Sequence, residues 1–389
     1  MKERQPFSLA VLSLIPFILL LSLIIPPTPY RPVLFLPVLG IAYYLLFYTT
    51  TGNASIDLSI GSSITPFVAT AFDFILLTEP QTQLFQLGQK VPSSSFPSTR
   101  EKLKWALDLL SSHRGIGWKH EPFSKLPPPP FSSNTPRMKF IAYQLFIALA
   151  YFLVWDVCAI YSRNTPALMV GGPPLSDQPL LWKIVNMWAW AVPATAALTI
   201  NHSLLSAVMV GLGFWTDVAQ WRPLFGSLKE GYSVTRFWGQ TWHQLLRRVL
   251  TVPGQKLRQY LSIPKGTYLS SFTTLYTSFF VSALIHNPAD YMMLGRHGGG
   301  ALKFFLSQAF CITFENFIIA LGRRAGFADW QAWRIIGYVW VQLWFAFSLP
   351  WMLQPQITAG LIQNGMGYSL ILGLWNGNWA PGLAGKESM

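Results

Sequence analysis

The feature that most constrains this chain is a series of apolar runs, each about as long as a lipid bilayer is thick. A helix crossing the hydrocarbon core needs about 20 mostly apolar residues. Phe7 to Ile25, Pro32 to Thr50, Ile56 to Leu77, Phe140 to Ile160, Ile184 to Phe214, Thr267 to His286, Ala301 to Leu321 and Ile335 to Leu353 are candidates. Glycine-rich Thr358 to Trp375 is a weaker ninth, and Pro193 kinks the Ile184 run or divides it in two. Asp57 and Asp73 interrupt the third run, which spans or is partly re-entrant. Lys2, Glu3 and Arg4 precede the first run as they would in a signal peptide. Pro26, Pro27 and Pro29 follow it where a small-residue cleavage site would stand, so it reads as a retained helix.

Charge supports the membrane reading. Only 11% of residues are charged, against roughly 25% in soluble chains. The chain is too apolar for disorder and has no repeat period for collagen or a coiled coil. The expected fold class is all-α: a polytopic membrane bundle of eight or nine crossings. Residues 1–77 form N-terminal transmembrane helices, 78–139 a cytosolic Pro/Ser-rich basic loop, and 140–389 the core.

The net charge is +13, from 28 Lys and Arg against 15 Asp and Glu. No basic block flanks a soluble module, so nucleic acid is not the expected partner. The segments 78–139 and 215–266 hold 17 of the 28 basic residues. Two crossings separate them, which places both on the cytosolic side and Arg323, Arg324 and Arg334 with them. If Thr358 to Trp375 spans, the C-terminus joins that side. If the first three runs span, the N-terminus and the Asn53-Ala54-Ser55 sequon are lumenal. Cys158 and Cys311 lie in apolar stretches and read as reduced packing residues.

Ionisable residues are costly in a bilayer and are functional candidates by default. His286 ends the apolar string Phe279–Ile285. Glu315 and Asn316 sit mid-run, as a polar clasp between helices or as substrate contacts. His202 and Asp156 lie in other runs, and His202 reads as structural. His113 and His120 belong to a hydrophilic loop and read as solvated, while His297 before Gly298-Gly299-Gly300 reads as a turn. The histidines are scattered, and neither HExxH nor CxxC occurs, so no metal site is expected. No GxSxG elbow marks a serine hydrolase. His286 and Asp290 form an HxxxD string in which Asp290 could orient the imidazole.

The string Ser233-Val-Thr-Arg236-Phe237-Trp238-Gly239-Gln240-Thr241-Trp242-His243-Gln244 resembles the FWGRRWHQ signature of the wax synthase-like branch of membrane-bound O-acyltransferases. Pro223-Leu-Phe-Gly-Ser-Leu228 precedes it as in that branch, and Arg114-Gly-Ile-Gly-Trp118 is similar to it as well. His286, 43 residues beyond His243, matches the family's catalytic histidine in kind and approximate spacing. Gln240-Thr241 stands where Arg-Arg is common, which puts in doubt a CoA-holding role for those two positions. The heptad ending at His243 also lines up with the FYxDWWN-type motif of sterol and diacylglycerol acyltransferases. The resemblance covers roughly residues 60 to 350.

The resemblance implies a chamber crossing the membrane, acyl-CoA as co-substrate with no bound cofactor, and a hydrophobic alcohol as acceptor. Residues 140–389 become the acyltransferase core. His286 would be the base that takes the hydroxyl proton as the oxygen attacks the thioester, a role imidazole fills at cellular pH. His243, with Trp238 and Trp242, would position the acceptor or stabilise charge. Arg236, Arg247 and Arg248 would meet CoA phosphates or simply flank the membrane; Asp290, Glu315 and Asn316 are further substrate-contact candidates. The chain looks most like fungal members, which implies O-acetylation of a terpenoid or meroterpenoid in a multi-pass protein of the endoplasmic reticulum. Long-chain wax-ester synthesis, small-molecule transport through the same polar residues, and a lipid-binding scaffold are the alternatives.

Overall fold

The computed structural model describes residues 4–327, 331–363, 365 and 367–381. In chain order its main helices are α1 (Leu9–Ile24), α2 (Phe35–Tyr48), α3 (Ala54–Ala71), α4 (Thr99–Ser111), α5 (Arg137–Arg163), α6 (Leu180–Leu212), α7 (Arg247–Tyr260), α8 (Tyr268–Leu294), α9 (Ala301–Arg324), α10 (Gln331–Thr358) and α11 (Leu370–Asn376). Among the described residues the strands are two dipeptides, β1 (Gln5–Pro6) and β2 (Thr49–Thr50), paired in parallel. The fold is therefore an all-α membrane bundle. Among the described residues seven helices, counting α2 with its 3-10 lead from Arg31 and α3 with its π-helical extension to Leu77, are long and apolar enough to cross a bilayer. The 16-residue α1 is shorter, at about 24 Å.

Large apolar side chains at helical spacing point outward: Leu145, Phe146, Leu149 and Leu153 on α5, and Phe310, Phe314, Phe317 and Ile318 on α9. In water such stripes would cost heavily, whereas lipid accepts them. Pro66, Pro193 and Pro288 lie inside helices, as transmembrane segments tolerate.

The chain divides into two compact units, Met1–Ser124 with Gln244–Leu321 and Lys125–His243 with Gly322–Met389. In the first, α3 packs on α8, and the approach is close. A Cβ on Gly61 would lie 2.7 Å from the Ala289 Cα, so only glycine permits this small-residue crossing. Asp57 and Asp73, which interrupt the third run, sit near its two ends and are buried with partners. Asp57 accepts from Thr50 Oγ1 at 2.5 Å and from Thr51 N and Oγ1 at 2.7 Å, with Arg4 at 3.9 Å. Asp73 accepts from Thr78 Oγ1 and Arg248 Nε, both at 2.6 Å. Arg31 completes that end, donating to Glu79 at 2.6 Å and to the Phe74 and Thr78 carbonyls at 2.9 Å. The carboxylates thus anchor a continuous helix and do not make it re-entrant.

In the second unit α5 and α6 run antiparallel, joined by the Tyr161 hydroxyl donating to Asn186 Oδ1 at 2.8 Å. Asp156, fully buried on α5, accepts the Ile371 N–H at 2.9 Å and so tethers α11. Trp188 on α6 donates to Gln342 on α10 at 2.9 Å.

Two sequence expectations change and one open alternative closes. Ile184 to Phe214 is one helix, α6, and Pro193 does not divide it. The helix of His286 continues through Pro288 to Leu294, where Gly295 closes it in the left-handed conformation. Thr358 to Trp375 is not a crossing: α10 ends at Thr358, Gly360 takes a φ of +78°, and α11 has only seven residues. Among the described residues eight apolar helices therefore stand where eight or nine crossings are expected, and the condition placing the C-terminus beside the basic loops is not met.

Candidate active site

His286 lies eight residues before the end of α8, about 12 Å inside the helix terminus. It is half-buried, and its imidazole stacks on the Phe305 ring of α9, with centroids 4.7 Å apart and planes 17° apart. Two further contacts fix the antiparallel register of α8 and α9. Asp290 accepts the Ala301 N–H at 3.3 Å, and Tyr276 shares a hydrogen bond with Thr313 at 3.2 Å. Asp290 thereby caps the N-terminus of α9, where a carboxylate is favoured by the unsatisfied N–H groups and the helix dipole. Its observed contact is to α9 backbone.

Glu315 and Asn316 part company. The 100° step of a helix buries Glu315 on the same side as Gln308 and Cys311, and leaves Asn316 exposed. They do not form one polar clasp.

The Arg248 guanidinium is held by Asp73 at 2.6 Å and lies over the Phe74 ring at 5.4 Å. Arg247 donates to Gln244 Oε1 at 2.7 Å, and burial pushes its pKa down. His120 is not solvated as the loop composition suggests. It packs against Trp118, and its Nδ1 is buried with no hydrogen-bond partner. Burial, and then the charge of Arg248, lower its pKa to about 4.

The signature string belongs to the second unit. Ser233 caps a helical turn by accepting the Arg236 N–H. Phe237–Thr241 then form a π-helical turn closed by the Trp242 N–H on the Phe237 carbonyl at 2.7 Å. The wider turn stacks Phe237 and Trp242 at 5.7 Å. Trp242 packs against His243 at 5.4 Å, and Phe225 meets His243 edge-on at 5.8 Å. Phe345 closes the aromatic group, 4.7 Å from Phe237 and 6.0 Å from Trp238. Arg236 pairs with Glu230 and lies over Tyr232 at 4.6 Å. Pro223–Leu228 lies against the signature because Gly226 donates its N–H to the Thr241 carbonyl at 2.9 Å.

Sequence reasoning missed Phe305, Phe345 and Glu230. Aromatics are so common here, with 28 Phe, that nothing in sequence distinguishes those that pack on a histidine.

The stretch carrying both histidines is also the part that a family model matches. Residues 221–307 match the family model described as the membrane bound O-acyl transferase family. Acetyltransferase ple2 of Rhodocybe pseudopiperita is 34% identical over 380 residues, covering 97% of this chain and 98% of its own. The chain belongs to the membrane-bound O-acyltransferase family. Acetyltransferase eriL of Hericium erinaceus is likewise 34% identical, over 90% of this chain and 91% of its own. O-Mevalon transferase yanI of Aspergillus niger is 29% identical, over 82% and 77%. No solved structure matches the chain. As a member of this O-acyltransferase family the protein is an enzyme, and the transporter and scaffold readings fall away.

Proposed function

We propose that the protein transfers an acetyl group from acetyl-CoA to a hydroxyl of a terpenoid or meroterpenoid secondary metabolite, at the endoplasmic reticulum membrane. The observation that carries this reading is the 34% identity, over nearly the whole chain, to a protein named an acetyltransferase.

In this reading His286 is the general base. Its free imidazole nitrogen takes the hydroxyl proton as the hydroxyl oxygen forms a bond to the thioester carbonyl carbon. The carbon–sulfur bond then breaks, and the proton passes to the departing CoA sulfur. Ester and free CoA thiol result, with no metal needed. Phe305 fixes the plane of the imidazole, and Asp290 acts as a positioning residue by holding α9 to the end of α8. His243, framed by Trp238, Trp242 and Phe225, orients the acceptor. The charge of Arg236 is met by Glu230, so its part is to hold the signature turn rather than CoA. Glu315, buried on the face of α9 that carries Gln308, lies ten residues, about 15 Å, along α9 from Phe305 and stands apart from the base.

A second reading has one specific support. Two relatives are named O-mevalon transferases, which favours an acyl group larger than acetyl. The test separates them. Membranes containing wild type or His286→Gln, matched for protein amount, receive labelled acetyl-CoA or a longer acyl-CoA with a pool of terpenoid and long-chain alcohols. Labelled acetyl ester on a terpenoid from wild type alone supports the proposal. Ester from the longer donor, or on fatty alcohols, overturns the choice of substrate, and equal product from His286→Gln overturns the role of His286.

A further inference from the structure

A cavity of about 240 Å3 lies in the second unit between α5 and α6, under the Trp221–Phe225 segment. Its walls are aromatic: Tyr151, His202, Trp221 and Phe225 all line it. Two polar groups stand out. Gln144 on α5 is 5% exposed and Ser203 on α6 is 2% exposed, both line the cavity, and neither side chain has a hydrogen-bond partner among the described residues. Neither belongs to the fully enclosed polar atoms, so each turns its polar end into the hollow, where water or a guest can meet it. A guest that displaces water from this hollow keeps those hydrogen bonds only if it carries an oxygen of its own.

The size narrows the guest. An apolar cavity of about 150 Å3 suffices for benzene. This one, about 1.6 times that volume, suits a body of two fused rings, and broad aromatic walls suit ring faces better than a flexible chain. The position is informative too. Phe225 lines the cavity and also meets His243 and Trp242, at 5.8 and 5.3 Å. A guest seated here is one aromatic ring away from the signature histidine.

The geometry points to this cavity as the seat for the ring body of an oxygenated polycyclic alcohol, with the Gln144 amide and the Ser203 hydroxyl pairing a ring oxygen. That the guest is the acyl acceptor rests on the acetyl-transfer reading; that the cavity binds such a molecule does not. The pairing makes Gln144 a specificity residue, which selects for oxygen on the ring system.

The test is binding without any acyl donor. The purified full chain in detergent is titrated with radiolabelled drimenol, a bicyclic sesquiterpene alcohol, by equilibrium dialysis. Gln144→Leu, which removes an unpaired amide and keeps its bulk, is expected to fold at least as well as wild type. It should weaken drimenol binding about tenfold, the worth of one buried hydrogen bond. It should leave binding of the parent hydrocarbon drimane unchanged. Ser203→Phe fills the cavity and should abolish binding of both, and 1-hexadecanol should compete poorly. Equal drimenol affinity in wild type and both variants, or displacement by 1-hexadecanol as effective as by drimenol itself, overturns the assignment. Acetyl transfer measured on the same proteins separates the two proposals. Binding that follows the variants with no transfer from acetyl-CoA to any alcohol overturns the function and leaves the cavity. Transfer to a polycyclic alcohol that is indifferent to both variants does the reverse.

Discussion

The His286 imidazole lies flat on the Phe305 ring, 17° from parallel and 4.7 Å between centroids. In the proposed mechanism His286 is the base; a base must meet its proton along a defined line, and the stack sets the plane in which the imidazole nitrogens point. His286→Gln is expected to lower kcat about 10²–10⁴-fold, the usual worth of general acid–base catalysis. Phe305→Leu keeps an apolar wall but loses the face. Aromatic pairs are worth about 0.5–1.5 kcal/mol, so kcat should fall roughly two- to tenfold with KM for the acyl donor unchanged. A rise in KM at constant kcat would assign Phe305 to substrate binding instead.

The ion pair of Asp73 and Arg248 ties α3 to α7 in a buried setting. Removing one partner strands the other, at a cost of about 3–5 kcal/mol. Asp73→Asn should therefore lower the thermal midpoint of the detergent-solubilised protein clearly. Replacing both with apolar residues of similar size, Asp73→Leu with Arg248→Met, should recover much of the loss. A double variant no better than Asp73→Asn would show that the hydrogen bonds of Asp73 to Thr78 matter more than the pair.

The legible and illegible parts of this chain differ in their physics. Bilayer thickness imposes a length rule, so the crossings from Pro32 to Leu353 can be read directly. Proline does not end a helix in lipid as it does in water, which is why the Pro193 and Pro288 helices run on. Asp73 looks like a flaw in its run because its partner, Arg248, is 175 residues away. The signature gives its residue types in sequence, but the π-helical turn that stacks Phe237 on Trp242 matches neither the helical nor the strand period. Asp290 is close to His286 in sequence, yet its observed bond is to Ala301, across a glycine turn.

His120 gives the stability a pH dependence. Its folded pKa of about 4 lies below the ordinary value of 6.5. The unfolded chain therefore binds a proton before the folded one does, and stability is lost as pH falls. The loss begins below about pH 6.5 and is complete below about pH 4. The thermal midpoint should fall between pH 7.5 and pH 5, and His120→Phe should flatten that slope. An identical slope in His120→Phe would place the pH dependence elsewhere.

Gly226 sits where the segment before the signature meets the π-helical turn. A Cβ there would come within 2.1 Å of the Gln240 carbonyl oxygen, a backbone atom that cannot swing aside. Gly226→Ala must therefore push Pro223–Leu228 off the turn and weaken the bond from Gly226 N to the Thr241 carbonyl. Phe225, the next residue, would lose its edge-on contact with His243. The expected phenotype is a drop in kcat together with a rise in acceptor KM, while KM for the acyl donor holds. Gly239→Ala, inside the same turn but with open space around its Cβ position, is the matched comparison and should be much milder. If both variants lose activity alike, helical backbone propensity rather than the close approach at Gly226 controls the turn.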